Sequence, residues 1–394
     1  MNNKLELEFA ERVDKLRTLM KERGIDACLI YGDEYRKENL RYISNYWPIF
    51  ERGAVIVAMA GDPIVLAAPE GELVCHEMSI WSDIRLIPDF NCVTVPDEIE
   101  YPHAQYTDFK KVIHELKEKY GLIRLGIAGM DAMAKQVYES IAANAADVEI
   151  VDANELLFAL RLKKSAYEIH CLKEAARIAD EGYRALMEAA NVGATELEIA
   201  AAAYYVCMRE GAENVPFCLV SSGARVNTII GRPTRKKVEN GDMLMAALAV
   251  QFEGYVATIN FPFVVGESSP EQREFINYLI EANDRALPMI RPGVRQGDMV
   301  GAVKSYFREQ GIDAYDLYPP LHGCGVAEAE MPYPNESTTG LFEEGMTVNT
   351  DISLFGHPNG SNRIEEGFIL TKEGNEPMSR LVRELTAKWK KTQR

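Results

Sequence analysis

Leu5, Phe9, Val13, Leu16 and Met20 recur at the spacing of one helical face, and Gly24 stands where a left-handed residue would close that helix. The apolar run Ile25 to Tyr31 predicts a strand directly after it. Two more short apolar runs, Gly53 to Met59 and Ile64 to Ala68, flank Ala60-Gly61-Asp62-Pro63, which predicts a turn between paired strands. A second helix is predicted over Tyr106 to Tyr120, leading through Gly121 into a strand at Arg124 to Ala128. Residues 1 to 155 thus read as one mixed α/β unit.

The pattern changes after that. Ser165 and Glu168 have the spacing of a capping box and open a long helix, which marks the start of a second domain, 156–394. Ser269-Pro270-Glu271-Gln272 is another helix start, with proline at the first helical position and a glutamine placed to reach back to the cap. That helix is predicted to reach Met289. Arg291-Pro292-Gly293-Val294 then predicts a turn into a helix ending near Gly311. The chain shows no low-complexity segment and no short-period repeat.

Composition narrows the function classes. With 394 residues, 47% of them hydrophobic, the chain is long enough for two domains that each bury a core. The net charge of -17 repels phosphate backbones and anionic lipid, which argues against nucleic acid and membrane surfaces as partners. No export signal and no apolar run of about eighteen residues is visible, so a cytoplasmic location is expected. The cysteines, at 28, 75, 92, 171, 207, 218 and 324, are odd in number and never spaced C-x-x-C, which speaks against a disulfide framework and a structural zinc knuckle.

Two strings carry the chemistry. One is Gly241-Asp242-Met243-Leu244 running to Gly254-Tyr255-Val256-Ala257-Thr258; the other is His322-Gly323-Cys324-Gly325 running to Arg363-Ile364-Glu365-Glu366-Gly367. They resemble the catalytic domain of the aminopeptidase P, methionine aminopeptidase and creatinase family, the pita-bread fold. Leu160-Arg161-Leu162-Lys163-Lys164-Ser165 is similar to the joint that precedes that domain in aminopeptidase P and creatinase relatives. The resemblance implies an α/β (α+β) protein with an N-terminal creatinase-like domain, 1–155, and a C-terminal pita-bread domain, 156–394. It also implies a homodimer in which the N-terminal domain reaches the neighbouring pocket, with Trp47 and Arg52 as the residues placed to line it.

Two-metal members of that family hold their ions with two aspartates on a hairpin, a histidine and two later glutamates. Alignment from Gly241-Asp242 puts Ala247 and Thr258 at the aspartates, His322 at the histidine, Asp351 at the first glutamate and Glu365 at the second. Neither alanine nor threonine anchors a divalent ion, so a bridged pair is not expected and no metal or other cofactor is predicted. The family's two substrate histidines fall at Ile230 (or Gly231) and Ala329. Creatinase, which hydrolyses a C–N bond without metal, has a histidine at the place of Ile230 and a hairpin glutamate at the place of Asn260, and both differ here.

His322 is therefore the leading catalytic candidate, an imidazole that Asp351 and Glu365 would orient and make more basic as a general acid/base. The plainer alternative is a buried histidine satisfied by those carboxylates, which in turn pair with Arg363. Cys324, two residues on, shares a strand face with His322 and is a lesser nucleophile candidate beside its reading as a small buried hydrophobe. Glu330 is expected to contact substrate or support the site, and Glu328 to be solvated. Thr258 and Asn260 are expected at the substrate, as is Arg232 from the basic loop Arg225, Arg232, Arg235, Lys236, Lys237, where a guanidinium suits a carboxylate. The preferred function is metal-independent hydrolysis of a C–N bond in a small nitrogen-containing metabolite. Two alternatives stand beside it: an Xaa-Pro peptidase relative with one weakly held ion at His322, Asp351 and Glu365, and a catalytically silent binding module.

Overall fold

A computed structural model of the protein describes residues 2–92 and 105–392. It divides into two compact units, Met1–Arg161 and Leu162–Arg394. The first unit contains α1 (Asn2–Arg23), β1 (Ala27–Asp33), α2 (Glu38–Ser44), β2 (Arg52–Ala58), β3 (Ile64–Ala67), α3 (Glu72–Met78) and β4 (Asp83–Leu86). It continues with α4 (Phe109–Tyr120), β5 (Arg124–Ala128), α5 (Lys135–Asn144), β6 (Glu149–Asp152) and α6 (Asn154–Arg161). Its six strands form one sheet in the order β4-β3-β2-β1-β5-β6. The face of α1 that carries Phe9, Val13, Leu16 and Met20 is buried, and Gly24 sits at φ 64° as the left-handed stop. The expected turn over 60–63 joins β2 and β3 as an antiparallel pair.

Two boundaries differ from the sequence expectation. Helix α4 starts at Phe109 rather than Tyr106, because Asp108 caps it by accepting from the Lys111 amide at 2.7 Å, while Tyr106 lies alongside Leu86 as an isolated bridge. The first unit runs to Arg161 rather than 155, because α6 is tied back into it: Arg161 donates to Asn39 Oδ1 at 2.7 Å and Tyr42 to the Leu160 carbonyl at 3.3 Å.

The second unit opens with α7 (Ala166–Ala189) and α8 (Glu196–Arg209), then β7 (Asn214–Ser222), β8 (Met243–Phe252), β9 (Tyr255–Ile259) and β10 (Phe263–Val264). Next come α9 (Pro270–Ala286), α10 (Gln296–Gln310), β11 (Leu321–Gly323), β12 (Thr347–His357), β13 (Gly360–Thr371), β14 (Gly374–Pro377) and α11 (Leu381–Thr392). Both predicted capping boxes are formed, at Ser165/Glu168 and Ser269/Gln272. Helix α9 gives way to a short 3-10 turn over 287–289, where Pro288 lacks the amide that an α-helix would need.

Two four-stranded sheets form the middle of this unit. In one, β8 pairs with β7, β9 and β10; in the other the order is β11-β12-β13-β14. A large apolar core, with Leu244, Leu248, Val250, Phe275, Leu279, Phe307, Ile352 and Phe368 all fully buried, packs the sheets against the helices. Each such side chain contributes about 1.5–3 kcal/mol by leaving water. This core holds the strand register that fixes the site.

Candidate functional site

Successive residues of a strand point to opposite faces, so β8 sends Leu244, Ala246, Leu248 and Val250 into the core and Met245 and Ala247 to the other side. There Met245 and Ala247 pack with Val226, Phe217 and Leu219. The position that the resemblance assigns to a metal-binding aspartate is thus part of an apolar wall. On β9, Thr258 is buried and donates to Glu328 Oε1 at 3.2 Å.

The second sheet supplies charge. His322 lies on β11, Asp351 on β12 and Glu365 on β13, and Asp351 and Glu365 are direct cross-strand partners. His322 Nδ1 is 2.8 Å from the Gly323 carbonyl, which only accepts, so Nδ1 carries a proton, and Nε2 is turned to Glu328 Oε1 at 3.8 Å. Arg363 stands over the two cross-strand acids, its Nη1 at 3.2 Å from Asp351 and 3.7 Å from Glu365. The rings of Phe355 and Tyr318 lie 5.4 and 5.6 Å from the guanidinium carbon.

These groups share a cavity of about 760 Å³. Its ionic side is His322, Glu328, Asp351, Arg363 and Glu365; its apolar side includes Pro216, Phe217, Leu219, Ile230, Pro233 and Ala247, with Arg232 exposed among them. Three carboxyl groups face the single guanidinium of Arg363 on that side, so acids outnumber bases there. Burial, and next the adjacent Asp351 carboxylate, push the Glu365 carboxyl well above the ordinary range, against the pull of Arg363. Asp351 Oδ1 and Glu365 Oε2 are buried and accept no hydrogen bond.

The structure sorts the predicted residues. His322, Asp351, Glu365 and Arg232 line the cavity together. Glu330 does not: it is buried, and its carboxylate takes the Lys164 ammonium at 2.7 Å. Asn260 is fully buried and holds the hairpin to β13, accepting from the Ala246 amide at 3.1 Å and donating to the Asn362 side chain and the Arg363 carbonyl. Thr258 faces Glu328 rather than open space. The substrate contacts expected of Asn260 and Thr258 are therefore corrected to internal bonds, and of the two expectations for Glu330 the substrate contact is replaced by its bond to Lys164. Glu328, expected to be solvated, is half-buried and lines the cavity. Burial pushes the Cys324 thiol up to about 12, which removes it as a nucleophile near neutrality.

The basic loop is ordered from below by Glu196, a fully buried carboxylate that accepts from Ser222 N, Ser222 Oγ, Thr234 N and Thr234 Oγ1 and pairs with Arg225. Lys236 pairs with Asp242 at 2.6 Å. Ile229 is held at φ 64°, ψ −62°, a strained conformation for a β-branched residue, with the Ile230 amide bonded to the Thr228 carbonyl at 2.7 Å. The loop thereby presents Ile230, at the place of the expected histidine, to the cavity. Trp47 and Arg52 lie in the first unit, where Lys37 stacks on the Trp47 ring at 3.9 Å and Arg52 donates to the Asn91 carbonyl at 3.0 Å.

The donor set fits one ion and does not fit a bridged pair. His322, Glu328 and Glu365 bring one nitrogen and two carboxylate oxygens within 4.8 Å of one another, and a Glu365 oxygen with no hydrogen-bond partner among the described residues suits a divalent cation. A second ion lacks a ligand at Ala247, and Asp351 is already engaged by Arg363.

Comparison with known proteins follows the same outline. The pattern described as Metallopeptidase family M24 matches residues 170–372, and that of the Creatinase/Prolidase N-terminal domain matches 12–163. A protein described as Xaa-Pro dipeptidase from Pyrococcus furiosus is 26% identical over 376 residues, covering 95% of this chain and 99% of that protein. The uncharacterized peptidase YqhT of Bacillus subtilis is 25% identical over 384 residues, again 95% and 99%. Among solved structures, an Xaa-Pro dipeptidase from Bacillus anthracis superposes with a TM-score of 0.79 at 25% identity, covering 94% of this chain and 98% of that one.

Proposed function

Because the chain belongs to metallopeptidase family M24, among the pita-bread relatives of creatinase and aminopeptidase P, we propose that its cavity hydrolyses the amide bond of a small Xaa-Pro-like substrate with the help of one divalent ion. The relatives described as Xaa-Pro dipeptidases, matched over nearly their full length, support the substrate class. The observation that carries the reading is the convergence of His322, Glu328 and Glu365 beside an apolar wall. Those three residues would hold the ion, which in such sites supplies Lewis acidity toward a carbonyl and makes a water more acidic.

The chain's own groups do the remaining work. Asp351 and Arg363 keep each other oriented across the floor, and Arg363 also stands beside Glu365 at 3.7 Å, which fixes the place of that carboxylate. Phe217, Leu219, Ile230 and Pro233 offer an apolar surface for a pyrrolidine-like ring and exclude water from it. Arg232 is the exposed cation beside that surface and suits a substrate carboxylate. A copy of the chain whose Trp47 and Arg52 reach a neighbour's cavity is part of the same proposal, and sedimentation would test it through the mass in solution.

One observation favours a second reading, the metal-free hydrolysis preferred on sequence: Arg363 already lies between Asp351 and Glu365 as a built-in cation. Metal analysis of protein purified without chelator, together with turnover of Xaa-Pro dipeptides before and after chelation, separates the two. About one ion per chain and loss of turnover on its removal are expected. Full activity in metal-free protein would leave only the second reading. Glu365→Gln should reduce turnover by about 10²–10⁴-fold under either.

A further inference from the structure

We propose that the buried pair Lys164–Glu330 is the device that sets Glu328 in place, which makes both members positioning residues for the site; this rests on the single-ion reading above. The two side chains are 1% and 5% exposed and meet at 2.7 Å, and neither lines the cavity. Their position in the chain explains what they do. The residues between His322 and Glu330 fold back on themselves, with the Glu330 amide bonded to the Gly323 carbonyl at 2.9 Å and the Gly323 amide to the Pro332 carbonyl at 2.8 Å. Glu328 rides on this folded segment.

The segment is fixed from two sides. On one, β9 holds it: Val256 N donates to the Gly325 carbonyl at 2.8 Å and Thr258 Oγ1 to Glu328 at 3.2 Å. On the other, Lys164 reaches in from the residue just before the Ser165 cap of α7, its own amide anchored on the Gly345 carbonyl at 2.8 Å. Gly325 lies directly against the pair, since a Cβ there would meet Glu330 Oε1 at 2.5 Å and Lys164 Cε at 3.0 Å. Removing the pair frees the side of the segment that β9 does not touch, and the Glu328 carboxylate loses its fixed separation from His322 and Glu365.

Stability is a weak reason to bury such a pair, because an apolar replacement of similar volume is often neutral or stabilising. Geometry is the better one, since groups behind a ligand typically govern affinity by about 10–100-fold. The test is the double substitution Lys164→Met/Glu330→Leu, which removes both charges of the pair together. Its melting temperature should stay near that of the unsubstituted protein, while affinity for manganese(II) alone, titrated calorimetrically, should fall about 10–100-fold. A crystal structure of the variant should show Glu328 moved away from His322. Unchanged manganese affinity with Glu328 in place would overturn the proposal. If the double variant is unstable, Gly325→Ala, which crowds the pair without removing either charge, must show the same loss or the idea fails. Should the unsubstituted protein bind no manganese, the single-ion reading falls, and the position of Glu328 in the variant crystal still decides this inference.

Discussion

The two four-stranded sheets of the second unit border the same cavity with side chains of opposite character. The hairpin sheet presents Ala247 with Phe217 and Leu219, and two polar side chains at its hairpin, Thr258 and Asn260, are spent on bonds within the protein. The β11–β14 sheet presents His322, Asp351, Glu365 and Arg363. Opposed apolar and ionic walls teach how a pita-bread frame can gather its ionisable groups on one sheet while the other carries no acid at 247 or 258. Arg363 stands over the acids at the cost of its own hydration, and burial, which opposes its charge, is outweighed by Asp351 and Glu365, so its affinity for the proton rises.

The largest effect should come from restoring the hairpin. Ala247→Asp with Thr258→Asp places two acids on the apolar side, and unpaired buried charge costs about 3–5 kcal/mol. Thermal denaturation without metal should show that loss, and manganese should recover it with metal content rising to about two per chain. Content that stays at one would mean the hairpin backbone, and not only its side chains, has departed from a binding geometry.

A smaller effect is expected where the two sheets are joined. Asn260→Ala strips partners from the Ala246 amide and the Arg363 carbonyl, and such orphaned buried groups cost about 1–3 kcal/mol. Urea titration would measure it. An unchanged midpoint would show that packing and the main-chain bonds between residues 260 and 365 hold the hairpin to β13 without this side chain.

The smallest effect is a pH dependence on the ionic sheet's far face. Glu366 points away from the cavity and pairs with Arg383, yet burial outweighs that partner and pushes its carboxyl from 4.5 up to about 8. The folded state therefore holds a proton that the unfolded chain has released. Its contribution to stability is full below pH 4.5 and is lost as pH rises through about 8. Glu366→Gln should flatten stability against pH across that window, measured by denaturant midpoints at several pH values. A slope that persists would place the titration elsewhere.

Much of this was legible in the residues. The capping boxes at Ser165 and Ser269 and the left-handed glycines at 24 and 311 are local devices whose geometry depends on neighbours in sequence, and they formed as read. The absence of acids at 247 and 258 was equally plain. The half-burial of Glu328 is not legible in the sequence because it depends on Thr258, which lies far from it along the chain. Asn260 and Thr258 fall at the substrate, and Glu330 at the substrate or behind the site, because motif position says where a residue stands in a strand but not which of its neighbours has already claimed it.

By itself the sequence determined the elements, the two-domain order and the chemical inventory of the cavity, since periodicity, caps and residue type are short-range properties. Only the tertiary structure decided the allocation of charge. It paired Lys164 with Glu330, put Arg363 over Asp351, and left His322, Glu328 and Glu365 to converge. The reason is physical: a buried ionisable group is defined by the partner that meets it at about 3 Å, and that partner is chosen by packing across strands rather than by proximity in the chain.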